Sequence, residues 1–241
     1  MTFYLVVGAA FLFSLIVQGT LKRTYARWSR VRNSRDLPGS QVARTILDAN
    51  DMRRVAVEQV QGKLSDHYDP RSKVIRLSQP IYAVPSVASL AISAHESGHA
   101  IQDHEGFAAL KFRTAAAPIA GFAARFGIPA LIAGSLFDTL WLVQLGMLAY
   151  VGALAMQFVT LPVEFNASRR ALAQLEELHL MSDEEREGAR QVLRAAAMTY
   201  VAGVASAAGY IVYLLLAGSR WLLRKPPATP PSVPPAGPSG A

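Results

Sequence analysis

Four long stretches of this sequence carry almost no charge, and they decide most of what the chain can fold into. Thr2 to Gly19, Thr139 to Val163 and Ala195 to Ser219 contain no charged residue, and Thr114 to Phe137 contains only Arg125. Each approaches the ~20 apolar residues that a helix needs to cross a bilayer core. A hydrocarbon core offers backbone groups no water, so spans of this length must be helical. The expectation is a mostly α, polytopic membrane protein with about four transmembrane helices. The first stretch (1–19) reads as an uncleaved anchor, because no basic segment precedes it and no A-x-A site follows. The second is the weakest span, since an Arg near a span centre costs about 2.5–3.5 kcal/mol on insertion.

The placement of Lys and Arg sets the expected topology. Lys22, Arg23, Arg27, Arg30, Arg32 and Arg35 follow the first stretch, with Asp36 the only acid beside them. The positive-inside rule puts residues 20–113 in the cytoplasm. Residues 114–163 then form a transmembrane hairpin turning near Gly134 to Asp138. Residues 164–194 return to the cytoplasm, and 195–219 cross once more. The chain is thus expected to be multi-pass. The net charge of +7 raises nucleic acid as a partner, but the cluster beside a span reads better as an anionic-lipid and orientation signal. The lipid bilayer is the expected partner, and nucleic acid is not. Residues 220–241 are Pro-rich and expected to be disordered.

Within the first cytoplasmic region stands His95-Glu96-Ser97-Gly98-His99. Ser86 suits a helix N-cap, and Gly106 suits its stop. Val87, Leu90, Ala91, Ala94, Gly98 and Ile101 recur at helical spacing. On such a helix His95 and His99 point the same way, so both imidazoles can hold one Zn²⁺. Glu96 then sits where a general base for a metal-bound water belongs. The chain has no Cys, so any metal site must use His, Asp or Glu, the donor set of a catalytic zinc with an open position. Gly98 removes a side chain between the histidines and lets another element approach. Upstream, 39–52 reads as a helix, 54–60 as a strand, 64–70 as a polar loop and 73–77 as a second strand. This makes a small zincin-like α/β unit. A strand edge there either holds a peptide by adding it as a further strand or simply packs.

A catalytic zinc needs a third protein ligand. His104 is near, but the helix places it about 140° around from His99. The metzincin positions for Gly and His hold Gln102 and Glu105, which disfavours that class. Glu164 follows an uncharged stretch and two expected crossings, which return it to the side of the zinc motif. Pro162 suits the first turn of a helix beginning there. A carboxylate at such a place either complements the helix dipole or binds the metal, and both readings stay open on the residues alone. For a second oxyanion donor, His67, Tyr68, Arg169 and Arg170 are the candidates.

Three segments carry a resemblance: Leu64 to Pro70, Ala94 to Gln102, and Leu161 to Ala171. Together they resemble the neutral zinc metallopeptidases of bacterial membranes, the YugP-like group, over nearly the whole chain except the Pro-rich tail. That family often has Val at the position of Ser97. The resemblance implies a membrane-embedded, gluzincin-like metalloendopeptidase with Zn²⁺ as cofactor. It implies His95 and His99 as ligands, Glu96 as base and Glu164 as third ligand, acting on a peptide or protein substrate associated with the membrane. The competing reading is a non-enzymatic membrane scaffold or adaptor that retains a metal site. Activity lost in Glu96→Gln with zinc retained separates the two.

Overall fold

The computed structural model describes residues 2–222, except for the side chains of residues 2–4, 6, 7, 207 and 210–222. Ten elements follow in order: α1 (Thr2–Trp28), α2 (Gly39–Ala49), β1 (Ala56–Val60), β2 (His67–Asp69), β3 (Val74–Ser78), α3 (Gln79–Ala83), α4 (Val87–His104), α5 (Ala108–Leu136), α6 (Leu140–Glu177) and α7 (Asp183–Leu222). The described chain is mostly helical, with one small sheet. The expected tail lies outside the described residues from 223 onward, and residues 220–222 still belong to α7.

The sheet has the order β1-β3-β2. β3 lies at its centre, parallel to β1 and antiparallel to β2. Its sequence Val-Ile-Arg-Leu-Ser is buried at four of five positions, as expected of a strand covered on both faces. Ile75 and Leu77 pack with Val42, Ile46 and Leu47 of α2 and with Leu90 and Ala91 of α4. The segment expected as a polar loop over 64–70 contains β2. Its alternation is too polar and too short to register as a strand, and pairing with β3 supplies what its composition does not.

The zinc-motif helix α4 is the spine of the molecule. The Ser86 hydroxyl accepts a hydrogen bond from the Ser89 amide at 3.1 Å, which caps its start. Gly106, at φ +73°, closes the other end, where the Phe107 amide returns to the Gln102 carbonyl at 2.8 Å. Between these caps 14 of its 18 residues are buried, so even its polar side chains face protein. Leu175 of α6 and Val192 of α7 complete the core beneath it. The start of α7 carries the expected capping box: the Ser182 amide donates to Glu185 at 2.7 Å, and the Glu185 amide donates to the Ser182 hydroxyl at 3.3 Å.

α5 and α6 form the expected hairpin, turning at residues 137–139. Gly146 lets the pair close tightly, since a Cβ there would lie 2.7 Å from the Gly127 carbonyl oxygen. Their outward faces are bare and apolar; Ile119, Phe122, Leu136 and Leu148 are among the most exposed residues. Among the described residues these two helices, not four, are long and apolar enough to cross a membrane. The other two expected spans fall on α1 and α7, whose side chains lie partly outside the described residues. A second correction concerns Pro162. α6 runs through it unbroken, so Glu164 sits in a helix interior and does not begin a helix. Pro alone disfavours such a position, but α6 packs on α5 before it and on α4 after it.

Candidate metal centre

The approach of α6 to α4 builds the site. A Cβ on Gly98 would lie 2.6 Å from the Ala167 carbonyl oxygen. Glycine there lets the two backbones meet and brings Glu164, one turn before Ala167, over the histidines. Glu164 Oε2 lies 3.2 Å from His95 Nε2, and Glu164 Oε1 lies 3.6 Å from His99 Nε2. The imidazole rings stand edge to face, with centroids 4.7 Å apart. One donor atom from each of the three residues lies within 4.8 Å of the others. For metal–ligand bonds of about 2.05 Å, a tetrahedral edge is about 3.3 Å. Two nitrogens and one carboxylate at these separations fit Zn²⁺.

The outer nitrogens of both rings are held. Gln102 donates its amide nitrogen to the Val163 carbonyl and to Asn166 Oδ1, each at 2.9 Å. That leaves its oxygen facing His99 Nδ1 at 3.0 Å. The proton therefore sits on Nδ1, and Nε2 keeps its lone pair for a metal. The Ser168 hydroxyl lies 3.2 Å from His95 Nδ1 and bonds the outer nitrogen of that ring. Arg113, from the first turns of α5, donates to Glu164 Oε1 at 2.8 Å.

Glu96 lies beside the group and is only 7% exposed. Burial pushes its carboxyl up to about 7; His95 opposes the shift, and the charge of Glu164 adds to it. A carboxyl tuned near neutrality is suited to take up and release a proton at physiological pH. All four residues border a cavity of about 680 Å³. β2 supplies one wall through His67 and Tyr68, α5 another through Leu110, Arg113 and Pro118, and Tyr200 of α7 a third.

The other residues singled out in the sequence fall elsewhere. His104 is exposed and borders a separate cavity with Asp103 and Lys73. Glu105 forms an ion pair with Arg170 at 2.6 Å, which engages both away from the histidines. Arg169 is exposed and does not border the cavity. His67 and Tyr68 do border it, but the Tyr68 hydroxyl donates to Asp103 at 2.7 Å. Arg113 and Tyr200, which the sequence did not single out, border the cavity instead. Arg113 had one signal, a charge immediately before an apolar stretch. Tyr200 lies inside an uncharged stretch whose rotation no local pattern fixes.

Comparison with known proteins agrees with this geometry. Residues 3–218 match the model of a family described as "Putative neutral zinc metallopeptidase". The chain is 39% identical over 202 residues to "Putative membrane protease YugP" of Bacillus subtilis (strain 168), an alignment covering 84% of this chain and 90% of that protein. No solved structure matches.

Proposed function

We propose a zinc-peptidase function at the membrane for this chain, which belongs to the neutral zinc metallopeptidase family. The observation that carries it is the buried group of His95, His99 and Glu164 with Glu96 beside it in a large cavity. Zn²⁺ held by those three residues would supply a water of lowered pKa and polarise a substrate carbonyl. Glu96 takes the proton of the attacking water and delivers it to the leaving amine. Arg113 and Tyr200 face the same space from α5 and α7 and are positioned to donate to the oxygen that gains charge at the carbonyl carbon. Gln102 holds the His99 imidazole in the required tautomer, and Ser168 bonds the outer nitrogen of His95.

The exposed apolar faces of α5 and α6, and the relative's name, a membrane protease, support a bilayer position for this hairpin. The Lys and Arg cluster after residue 20 supports a bacterial inner-membrane location with the site on the cytoplasmic side of this hairpin. The cavity wall from Arg113 to Pro118 belongs to the start of the second span, so the substrate is a peptide or protein chain at the membrane surface.

The test uses the purified full chain in detergent, with an unfolded protein as substrate. Cleavage should require zinc, cease with a chelator, and fall at least about 10²-fold in Glu96→Gln while that variant binds zinc one to one. Zinc bound one to one by the wild type with no cleavage would overturn the peptidase function and leave a metal-holding scaffold.

A further inference from the structure

A second cavity adjoins the metal group. It measures about 220 Å³ and lies between α1, α4 and α7. His95, Glu96 and Glu164 border both cavities. The larger one is faced by charged side chains such as Asp69, Arg71 and Arg113. The smaller one is walled by Leu21 of α1, Leu64, Ile92 of α4, and Val192, Leu193 and Ala196 of α7.

Tyr25 and Tyr200 border it as well, and two further polar groups on that wall are already paired. Thr199 donates its hydroxyl to the Ala196 carbonyl of its own helix at 2.7 Å. Asp66 accepts from the Ser78 amide at 2.7 Å and from the Ser78 hydroxyl at 3.0 Å. The chamber therefore offers mainly apolar surface, bordered by two phenol groups and by His95, Glu96 and Glu164. An aliphatic cavity of about 150 Å³ takes up benzene, so this one holds a side chain of Leu, Met or Phe size.

We infer that this chamber is a specificity pocket, and that it receives a Leu-, Met- or Phe-sized apolar side chain of the residue flanking the scissile bond. The inference rests on the peptidase function proposed above. Its geometry makes the substrate chain lie across the histidines, with its backbone in the polar cavity and one apolar side chain turned down between α4 and α7. Gly gains nothing there, and an Asp would meet the carboxylates of Asp66, Glu96 and Glu164 that border the same space.

The experiment has two arms on the zinc-loaded full chain. In the first, a mixed peptide library is digested and the cut sites are read by mass spectrometry. Leu, Met or Phe should be enriched at one position beside the cut, and Ala196→Phe and Ile92→Trp, which fill the chamber from two walls, should lower the Leu-over-Ala selectivity at least about tenfold. In the second, two peptidyl hydroxamates are titrated against Glu96→Gln, one with an isobutyl side chain and one with hydrogen at that position. The isobutyl compound should bind at least about tenfold tighter, and Ala196→Phe should abolish the difference. Cleavage without an apolar preference, together with equal binding of the two hydroxamates, would overturn the pocket. Absence of cleavage with the binding difference intact would instead overturn the peptidase function and keep the pocket.

Discussion

Glu164 Oε2 lies 3.2 Å from His95 Nε2, although 69 residues separate them in the chain. The α5–α6 hairpin occupies most of that separation, so the metal group exists only when α6 returns beside α4. The tight crossing at Gly98 and Ala167, the Gln102 bridge to the Val163 carbonyl and the Arg113 bond to Glu164 all act at this return. Folding of the hairpin and assembly of the site are one event.

The third ligand follows from that relationship. Glu164→Ala removes the only carboxylate among the described residues that groups with both imidazoles, and should lower zinc affinity at least about 10²-fold and abolish hydrolysis. His104→Ala and Glu105→Ala should leave zinc bound, because neither side chain borders the cavity. Zinc titration of the three variants decides it. Normal binding by Glu164→Ala with loss in His104→Ala would place the site on one helix end.

Gln102→Leu should weaken zinc binding by roughly 10–100-fold without unfolding the chain, the scale found for groups that orient a ligating His. The change frees the His99 ring to rotate and removes the donor to Val163 and Asn166. Unchanged affinity would show that packing alone orients His99.

Gly98→Ala tests the helix crossing. An alanine inside a helix ordinarily gains up to about 1 kcal/mol over glycine. Here its Cβ would meet the Ala167 carbonyl oxygen at 2.6 Å, and overpacking of this kind costs about 1–3 kcal/mol. The variant should melt lower than wild type and bind zinc more weakly, because the displaced α6 carries Glu164. A higher melting temperature with normal zinc binding would remove the crossing from the account.

What the sequence made legible was local. His95, Glu96 and His99 could be placed because one helical period relates them and Ser86 and Gly106 mark the helix ends. The hairpin turn at 137–139 could be placed because charge disappears on both sides of Asp138. Glu164 needed more: counting crossings brought it to the correct side, and the resemblance then singled it out. Pro162 misled, because its preference for a first helical turn is local while contacts with α5 and α4 on either side of it are not. Tyr200 gave no signal, since an apolar helix without charges does not reveal which face turns inward. β2 was hidden because three polar residues become a strand only when β3 lies beside them.

The membrane topology can be checked by fused reporters. One inserted between residues 30 and 40 should report the cytoplasm, and one near Asp138, at the tip of the α5–α6 hairpin, the opposite side. Both reporters on one side would end the hairpin's role as a pair of spans.

The last prediction concerns pH and the metal-free chain. Burial lifts the Glu96 carboxyl from 4.5 to about 7 in the folded protein. The folded state thus keeps a proton that the unfolded chain releases at lower pH. The stabilisation from that difference is fully present below the unfolded value and is lost as pH rises through about 7. Its upper size is ~3 kcal/mol, from 1.36 kcal/mol per pKa unit. Chelator-treated wild type should therefore melt at progressively lower temperature from about pH 5 to about pH 8. Glu96→Gln, with no proton to lose, should show a flatter profile over the same range. Added zinc should flatten the wild-type profile too, because a cation beside Glu96 favours its carboxylate. Parallel slopes for metal-free wild type and Glu96→Gln would mean that Glu96 ionises at its ordinary pH, and its tuning toward neutrality would have to be abandoned.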